Sequence, residues 1–305
     1  MRMIIVGQGP FGEKVLQALI RKGEDVVGIF SPPDKRGEAM KILAEKSGIS
    51  FFRPNLMKDP QAYDAYLKLK PELAILAFVA DIIPERLVIL PPLGTICYHP
   101  SILPRHRGAS AINWALIQGD TRTGLTVFWV DQGIDTGPIL IQKEVEIKPE
   151  DTTGSLYFNK LFPMGVDAMV EAVELIEKGK APRIPQDDSK ATYEPPCDDR
   201  VASVNFEKPI RDIYNLIRGC DPQPGAYTTY QGEKVRFYEV KMFPSAIHKQ
   251  PGEIVSIEEG YVQISVKGGS IQIGKLRADK GEKMVPAEFA KSIGVKVGDR
   301  FGNRY

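Results

Sequence analysis

The chain has 305 residues, of which 43% are hydrophobic and 26% are charged, and its net charge at pH 7 is +1. This composition is typical of a globular protein, and the length is sufficient for two domains with a substantial core. The near-zero charge provides no global attraction for nucleic acid or for a membrane, and no apolar run approaches the ~20 residues that span a bilayer.

The first 180 residues alternate short apolar segments with amphipathic ones. MIIVGQ is closed by a glycine-rich turn, after which Phe11, Val15 and Leu19 recur on one helical face. Short apolar strands between amphipathic helices predict a doubly wound, mostly parallel Rossmann-like α/β sheet that is covered on both faces. The predicted strands are 3–8, 25–30, 51–52, 73–78, 94–99, 125–131 and 139–147, and the predicted helices are 11–22, 36–47, 60–69 and 153–178.

The composition changes after this region. Residues 181–204 are rich in proline and have no periodic pattern, which predicts a linker. Following a helix near 208–218, short strands between closely spaced turns predict a smaller C-terminal OB-like β-barrel. We therefore predict an α/β domain at 1–180, a linker at 181–204 and a β-barrel domain at 205–305.

The three cysteines, Cys97, Cys197 and Cys220, are widely spaced and form no CxxC pair. This usage argues against a disulfide framework and against a zinc site, so we expect no metal. The N-terminus reaches a glycine too soon for the apolar region of a signal peptide, and we expect a cytoplasmic protein.

The segment GQGPFG, from Gly7 to Gly12, matches the dinucleotide fingerprint G-x-G-x-x-G between a strand and a helix. However, Pro10 has no N–H to offer a pyrophosphate, and no acid stands at the tip of the second predicted strand. A tight strand-to-helix turn with proline at the helix start is the favoured interpretation, and a phosphate or nucleotide role is the alternative.

Two loops that follow predicted strands carry the candidate chemistry. His99 ends the strand CYH, and Cys97 lies on the same face because side chains alternate along a strand. The loop DQGIDTGPI adds Asp131 and Asp135 among flexible glycines. A strand-end histidine and a carboxylate on the next loop predict an acid–base pair, although a structural histidine and a turn-forming aspartate remain alternatives.

The segment HPSILPRHRGASAINWALIQGD, followed by GLTVFWVDQGIDTGPIL, strongly resembles the formyltransferase family that uses 10-formyltetrahydrofolate. The first segment is most similar to the hydrolase domain of 10-formyltetrahydrofolate dehydrogenase, whose aldehyde dehydrogenase module we do not expect after Tyr305. IRGCDPQPGAYTTYQGEKVRFYEV resembles the β-barrel domain that follows the catalytic domain of methionyl-tRNA formyltransferase.

The resemblance implies a role for each matched residue. It implies 10-formyltetrahydrofolate as formyl donor and tetrahydrofolate as product, with His99 and Asp135 as catalytic residues. The implied folate contacts are Ser101, Ile102, Leu103 and Pro104 in one loop and Asp81, Ile82 and Ile83 in another. We assign Arg105, His106 and Arg107 to the acceptor side.

Cys97 is the main departure from the family pattern, because the transferases carry an asparagine at this position. A thiol is a weak hydrogen-bond donor. We count Cys97 with His99 and Asp135 in the catalytic site and favour it as an apolar filler there, with a nucleophilic thiolate activated by His99 as the alternative. The loop SPPDKRGEAMK is also shorter than the basic loop with which the methionyl-tRNA enzymes meet tRNA.

These departures favour transfer of the formyl group to water or to a small acceptor. Methionyl-tRNA formylation is the runner-up, and a non-catalytic folate- or nucleotide-binding protein is the third hypothesis.

Overall fold

The computed structural model of the chain describes residues 1–79, 82–245 and 249–302. Its larger sheet has seven strands in the order β3-β2-β1-β4-β5-β6-β7. The strands are β1 Met3–Gly7, β2 Val26–Phe30, β3 Ser50–Phe52, β4 Leu73–Ala77, β5 Thr95–His99, β6 Arg122–Trp129 and β7 Ile139–Glu146. The pairings among β1 to β5 are parallel, whereas β6 is antiparallel to β5. The predicted doubly wound, mostly parallel α/β fold is confirmed.

Helices occur at three of the positions that the apolar periodicity predicts, 11–22, 36–47 and 60–69. The helices up to residue 177 are α1 Gly9–Lys22, α2 Glu38–Ser47, α3 Pro60–Leu69, α4 Glu85–Val88, α5 Ala111–Ile117, α6 Thr153–Leu156 and α7 Phe162–Glu177. Pro10 lies in the first turn of α1, as predicted, where its missing N–H costs no helical hydrogen bond.

Buried side chains cover both faces of this sheet. On one face, Ile5, Ile75 and Ile96 pack with apolar residues of α1 and α7 in a single cluster. On the other face, Ile4, Ala74 and Leu76 pack around Tyr66 of α3. Because both faces are covered, β1, β2 and β4 consist of apolar residues and glycine alone.

The predicted helix 153–178 is not continuous. A π-helical turn at Tyr157–Leu161 separates α6 from α7. Pro163 lies in the first turn of α7 and has no N–H for the carbonyl of Asn159, so the helix cannot keep its regular ladder there. The apolar pattern of this helix predicts Phe158 on the buried side with Leu156 and Leu161, but Phe158 lies in the π-helical turn and is 61% exposed. That part of the prediction is wrong.

The C-terminal part contains α8 Ile210–Gly219, α9 Pro286–Ile293 and a second sheet. Its strands are β8 Ala226–Tyr230, β9 Glu233–Phe243, β10 Ile254–Ile257, β11 Val262–Val266 and β12 Gly269–Ala278, in the order β10-β11-β12-β9-β8. The described pairings in this sheet are antiparallel, which confirms the predicted C-terminal β domain.

The chain forms two compact units, each composed of three stretches. One comprises residues 1–108, 124–144 and 159–193, and the other comprises residues 109–123, 145–158 and 194–305. The division of the chain at residues 180 and 204 stays a prediction. Within residues 1–79, 82–245 and 249–302, no helix combines the length and the hydropathy that a membrane span requires.

Candidate functional site

His99 is the last residue of β5, at the carboxyl end of the parallel strands. Its side chain is buried, and its Nε2 lies 2.7 Å from the carbonyl oxygen of His106. A carbonyl oxygen can only accept, so Nε2 carries the hydrogen of this bond. The contact holds the imidazole in one orientation and leaves Nδ1 as the edge that is open to other chemistry.

Asp135 presents its carboxylate to that edge. Its Oδ2 lies 3.5 Å from Nδ1 of His99 and accepts a 2.7 Å hydrogen bond from the backbone N–H of Gly108. Asp135 has φ 56°, in the left-handed region that L residues rarely adopt. The contact between Nδ1 and Oδ2 is attractive only when a proton lies between the two atoms, because Nε2 already carries its own hydrogen. The carboxylate therefore lies beside the one ring nitrogen that the His106 carbonyl leaves available.

Asp131 has a different position in the same loop. Its Oδ1 accepts hydrogen bonds from the backbone N–H of Gly133 at 3.0 Å and from the Thr136 hydroxyl at 2.6 Å. These bonds close the turn that leads to Asp135. Of the two candidate acids in the loop, Asp131 shapes the turn and Asp135 meets the histidine.

Cys97 lies two residues before His99 and packs against the sheet face formed around Ile4 and Leu76. Its thiol is half-buried, and its Sγ lies 3.5 Å from the carbonyl oxygen of Tyr98. Burial, with the charge of Asp135 as a second cause, raises the pKa of the Cys97 thiol far above its ordinary value. A thiol in this state is a poor nucleophile, which favours the interpretation of Cys97 as an apolar filler.

The loop from Ser101 to Pro104 is held rigidly by β6 and β7. Thr126 donates a 2.7 Å hydrogen bond to the carbonyl of Ser101 and accepts a 3.2 Å bond from the N–H of Leu103. Gln142 donates to the carbonyl of Leu103 at 2.9 Å. The side chains of Ser101 and Leu103 are buried, whereas those of Ile102 and Pro104 are partly exposed. Ile102 and Pro104 are therefore the side chains through which solvent reaches this segment.

Of the second predicted folate loop, Asp81 lies outside the described residues. Ile82 is 79% exposed, and Ile83 packs partly against the sheet face around Leu76. An isoleucine exposed to this degree beside a strand end provides apolar surface for a flat ring.

The three residues assigned to the acceptor side differ in position. Arg105 is exposed, and its carbonyl accepts a hydrogen bond from Ser101. His106 is buried, with φ 57°, and its backbone N–H donates to the hydroxyl of Thr192. Neither position tests the assignment of Arg105 or His106.

Arg107 is enclosed by other residues of the chain. It is 2% exposed, and its guanidinium donates to Gln186, to the Tyr193 hydroxyl at 2.7 Å and to Asp188 at 2.6 Å. These contacts favour a structural role for Arg107, and its assignment to the acceptor side stays a prediction.

Gln186 is a supporting residue that the sequence did not indicate, because it lies in the predicted linker. Its amide nitrogen donates to the carbonyls of Asp135 at 2.9 Å and Gly137 at 2.7 Å, and its amide oxygen accepts from Arg107. Gln186 therefore connects the loop of Asp135 to the loop that follows His99. No local pattern could have found it, since a single polar residue in a proline-rich segment carries no periodic signal.

A cavity of about 210 Å³ opens at the carboxyl ends of β1, β2 and β4. Its apolar wall includes Phe30, Met57 and Phe78, and Gln8 and Arg36 are among its polar residues. Beside it, the glycine-rich turn is tightly packed. A Cβ on Gly7 would lie 2.7 Å from the carbonyl oxygen of Ala77, and one on Gly12 would lie 2.9 Å from the sulfur of Met40. The packing supports the strand-to-helix turn as the reason for these glycines.

A mostly parallel doubly wound sheet in a chain that continues into an antiparallel β domain is an architecture shared with solved formyltransferases, such as the N-formyltransferase of Helicobacter canadensis, with a TM-score of 0.70 at 19% identity over 92% of this chain and 99% of that one. Residues 1–173 match the formyl transferase family model, and residues 198–294 match the model of the formyl transferase C-terminal domain. The chain belongs to the formyl transferase family.

Known proteins of two kinds are similar to this chain. Mitochondrial 10-formyltetrahydrofolate dehydrogenase of Mus musculus is 40% identical over 96% of this chain, which covers 33% of that protein. Methionyl-tRNA formyltransferase of Syntrophus aciditrophicus is 33% identical over 98% of both chains. The chain thus spans about a third of the length of the dehydrogenases that it matches.

Among solved structures, HypX from Aquifex aeolicus in complex with tetrahydrofolic acid has the same fold. Its TM-score is 0.70 at 19% identity, over 100% of this chain and 51% of that one.

Proposed function

We propose that this protein moves the formyl group of 10-formyltetrahydrofolate to water or to a small acceptor and releases tetrahydrofolate. The proposal rests on one observation, the contact between Nδ1 of His99 and Oδ2 of Asp135 at the strand ends. Membership of the family and the names of the similar proteins support folate as the donor.

The proposed chemistry follows from the hydrogen bonds of the pair. The acceptor attacks the formyl carbon, a tetrahedral oxyanion develops, and the bond from that carbon to N10 breaks. Asp135 takes the proton of the attacking water or amine, and His99 donates a hydrogen bond from Nδ1 to the oxyanion and passes a proton to N10. The His106 carbonyl and the Gly108 N–H hold the two side chains in place and spare the cost of orienting them in the transition state.

Folate is proposed to bind along two loops. Ile102 and Pro104 present one apolar edge, and Ile82 and Ile83 present the other; Asp81, Ser101 and Leu103 complete the two proposed loops. The bonds from Thr126 make the first loop rigid before the ligand arrives, so little entropy is lost on binding. We place catalysis in residues 1–180, with residues 181–204 as the linker to a β-barrel domain at 205–305.

Water or a small acceptor is preferred because of Cys97. Where the transferases have an asparagine amide, this chain has a half-buried thiol, and the loss of one oxyanion donor typically lowers the rate by roughly 10²–10³. Methionyl-tRNA formylation is the second candidate. It is favoured by the match of residues 198–294 to the C-terminal family model and by the 98% coverage of both chains in the alignment with the tRNA enzyme.

The deciding experiment measures formate and tetrahydrofolate after 10-formyltetrahydrofolate is mixed with the protein, alone and with methionyl-tRNA. Equal release of formate and tetrahydrofolate without tRNA supports hydrolysis, and turnover only with tRNA supports the second candidate. The His99→Ala variant is the control, and we expect it to lose at least ~10² of the turnover while it retains folate binding. Binding of folate without turnover under either condition, or near-normal turnover of His99→Ala, contradicts the proposal.

A further inference from the structure

The C-terminal unit contains two thiols in direct contact, outside the candidate site. Cys197 and Cys220 are 23 positions apart in the chain, and their sulfur atoms lie 3.7 Å apart. Both are free cysteines. Their spacing in sequence gives no hint of this contact, and the mechanism proposed above uses neither residue.

The two thiols differ in accessibility. Cys220 is fully buried at the C-terminal end of α8, where its N–H bonds to the carbonyl of Leu216 and its side chain lies in the core of the C-terminal unit. Cys197 is only partly buried, and its N–H bonds to the hydroxyl of Ser110. Cys197 is therefore the more accessible of the two thiols.

Their protonation also differs. The hydrogen bond from Cys220 lowers the pKa of the Cys197 thiol, although burial opposes this effect. The same hydrogen bond, followed by burial, raises the pKa of the Cys220 thiol. Cys197 is consequently the better nucleophile of the two, and Cys220 is the donor that stabilises its thiolate.

We propose that Cys197 and Cys220 form a reversible oxidation site for small disulfides, with oxidised glutathione as the representative reagent. The Cys197 thiolate attacks one sulfur of the reagent, forms a mixed disulfide and releases one glutathione thiolate. Cys220 then loses its proton and attacks the Cys197 sulfur, which forms the Cys197–Cys220 bond and releases the second glutathione. Two protein thiols are oxidised and one disulfide is reduced to two thiols, so electrons and atoms balance.

The required movement is small. The sulfurs must approach from 3.7 Å to the ~2.05 Å of a disulfide bond. The bond would connect the segment before Asp198 to the end of α8, within a single compact unit. The proposal does not depend on the formyl-transfer activity, and a failure of either leaves the other standing.

The test exposes the native, reduced protein to oxidised glutathione, quenches it with acid and counts thiols after denaturation. Wild-type protein starts with three thiols. We expect one to remain after oxidation, a cross-linked peptide pair that contains Cys197 and Cys220, and full recovery with dithiothreitol. In Cys220→Ser we expect a lasting glutathione adduct on Cys197. In Cys197→Ser we expect no modification of Cys220, since Cys220 is fully buried.

Circular dichroism of both variants checks that they are folded, and the cross-link in the wild-type protein does not depend on them. Three results overturn the proposal: three unmodified thiols in the wild-type protein, a stable glutathione adduct on Cys197 without a cross-link, or a disulfide that includes Cys97.

Discussion

Replacement of Asp135 by asparagine removes the proton acceptor from the candidate site with little change in shape. The side-chain amide oxygen of the variant can still accept the hydrogen bond from the Gly108 N–H, which is 2.7 Å in length in the native protein. The amide can no longer take a proton from an attacking water or amine, and the negative charge 3.5 Å from Nδ1 of His99 is lost.

The size of the effect follows from the role of the carboxylate. A positioned general base contributes roughly 10²–10⁴ in rate, and each tenfold corresponds to about 1.4 kcal/mol of activation free energy. We therefore expect kcat of Asp135→Asn to fall by at least ~10², which is about 3 kcal/mol. Folate affinity should stay within about threefold, because the loops proposed to hold folate keep their hydrogen bonds.

Asp131→Asn is the matched control, with the same chemical change four residues away. Its side-chain oxygen retains the capacity to accept from Gly133 and Thr136, and we expect turnover within about fivefold of wild type. Formate release from 10-formyltetrahydrofolate gives kcat, and fluorescence titration gives folate affinity. Equal losses of turnover in the two variants would show that the loop needs its total charge rather than a base at Asp135, and the assignment would fall.

Four further results are expected. Cys97→Ala should keep turnover within about fivefold of wild type, because burial raises the pKa of the Cys97 thiol and makes it a poor nucleophile. Loss of turnover in a folded variant that still binds folate would disprove the filler role. Thr126→Val should lower the free energy of unfolding, measured by urea titration, by about 2–4 kcal/mol, because the Ser101 carbonyl and the Leu103 N–H lose a buried partner. Thr126→Ser keeps the hydroxyl and should lower it by about 1 kcal/mol. Arg107→Leu should lower the free energy of unfolding by about 2–4 kcal/mol without changing the acceptor KM, because the Arg107 guanidinium is enclosed by Gln186, Tyr193 and Asp188. A raised KM with unchanged stability would support the acceptor role instead. The hydrogen bond from Arg236, followed by that from Lys234, lowers the pKa of Asp199 to about 2. The stabilisation that ionised Asp199 provides is therefore complete above the unfolded pKa of about 4 and is lost as the pH falls to 2. The thermal unfolding temperatures of wild type and Asp199→Asn should differ above pH 4 and converge between pH 4 and pH 2.

The spacing of the cysteines in the sequence does not predict the contact between Cys197 and Cys220. Cys197 and Cys220 are separated by 23 positions and share no motif, and the cysteine pattern argues against disulfide chemistry. Their contact arises because the segment before Asp198 returns to the end of α8. Contacts of this kind depend on the path of the whole chain, which no local pattern contains.

The sequence pattern of the loop at 131–139 did not decide which of its two acids meets His99. Asp131 and Asp135 are both acids in a glycine-rich loop, and only the resemblance to the family favoured Asp135. The structure separates them by backbone conformation: Asp135 has φ 56° and turns its carboxylate to Gly108 and His99, whereas Asp131 closes the turn. Arg107 is the opposite case, because its charge in a strand-end loop indicated a ligand and its partners Gln186 and Asp188 lie about 80 residues away in the chain.

The sequence by itself determined the order and type of most elements, the parallel sheet and the strand end that carries His99. These features depend on the alternation of apolar residues and on turn residues, and both act over a few positions in the chain. The tertiary structure alone decided that Gln186 holds the Asp135 loop, that Arg107 is enclosed and that Cys197 meets Cys220. Each of these rests on a hydrogen bond or contact between distant residues, whose formation depends on how the elements pack rather than on the residues beside them.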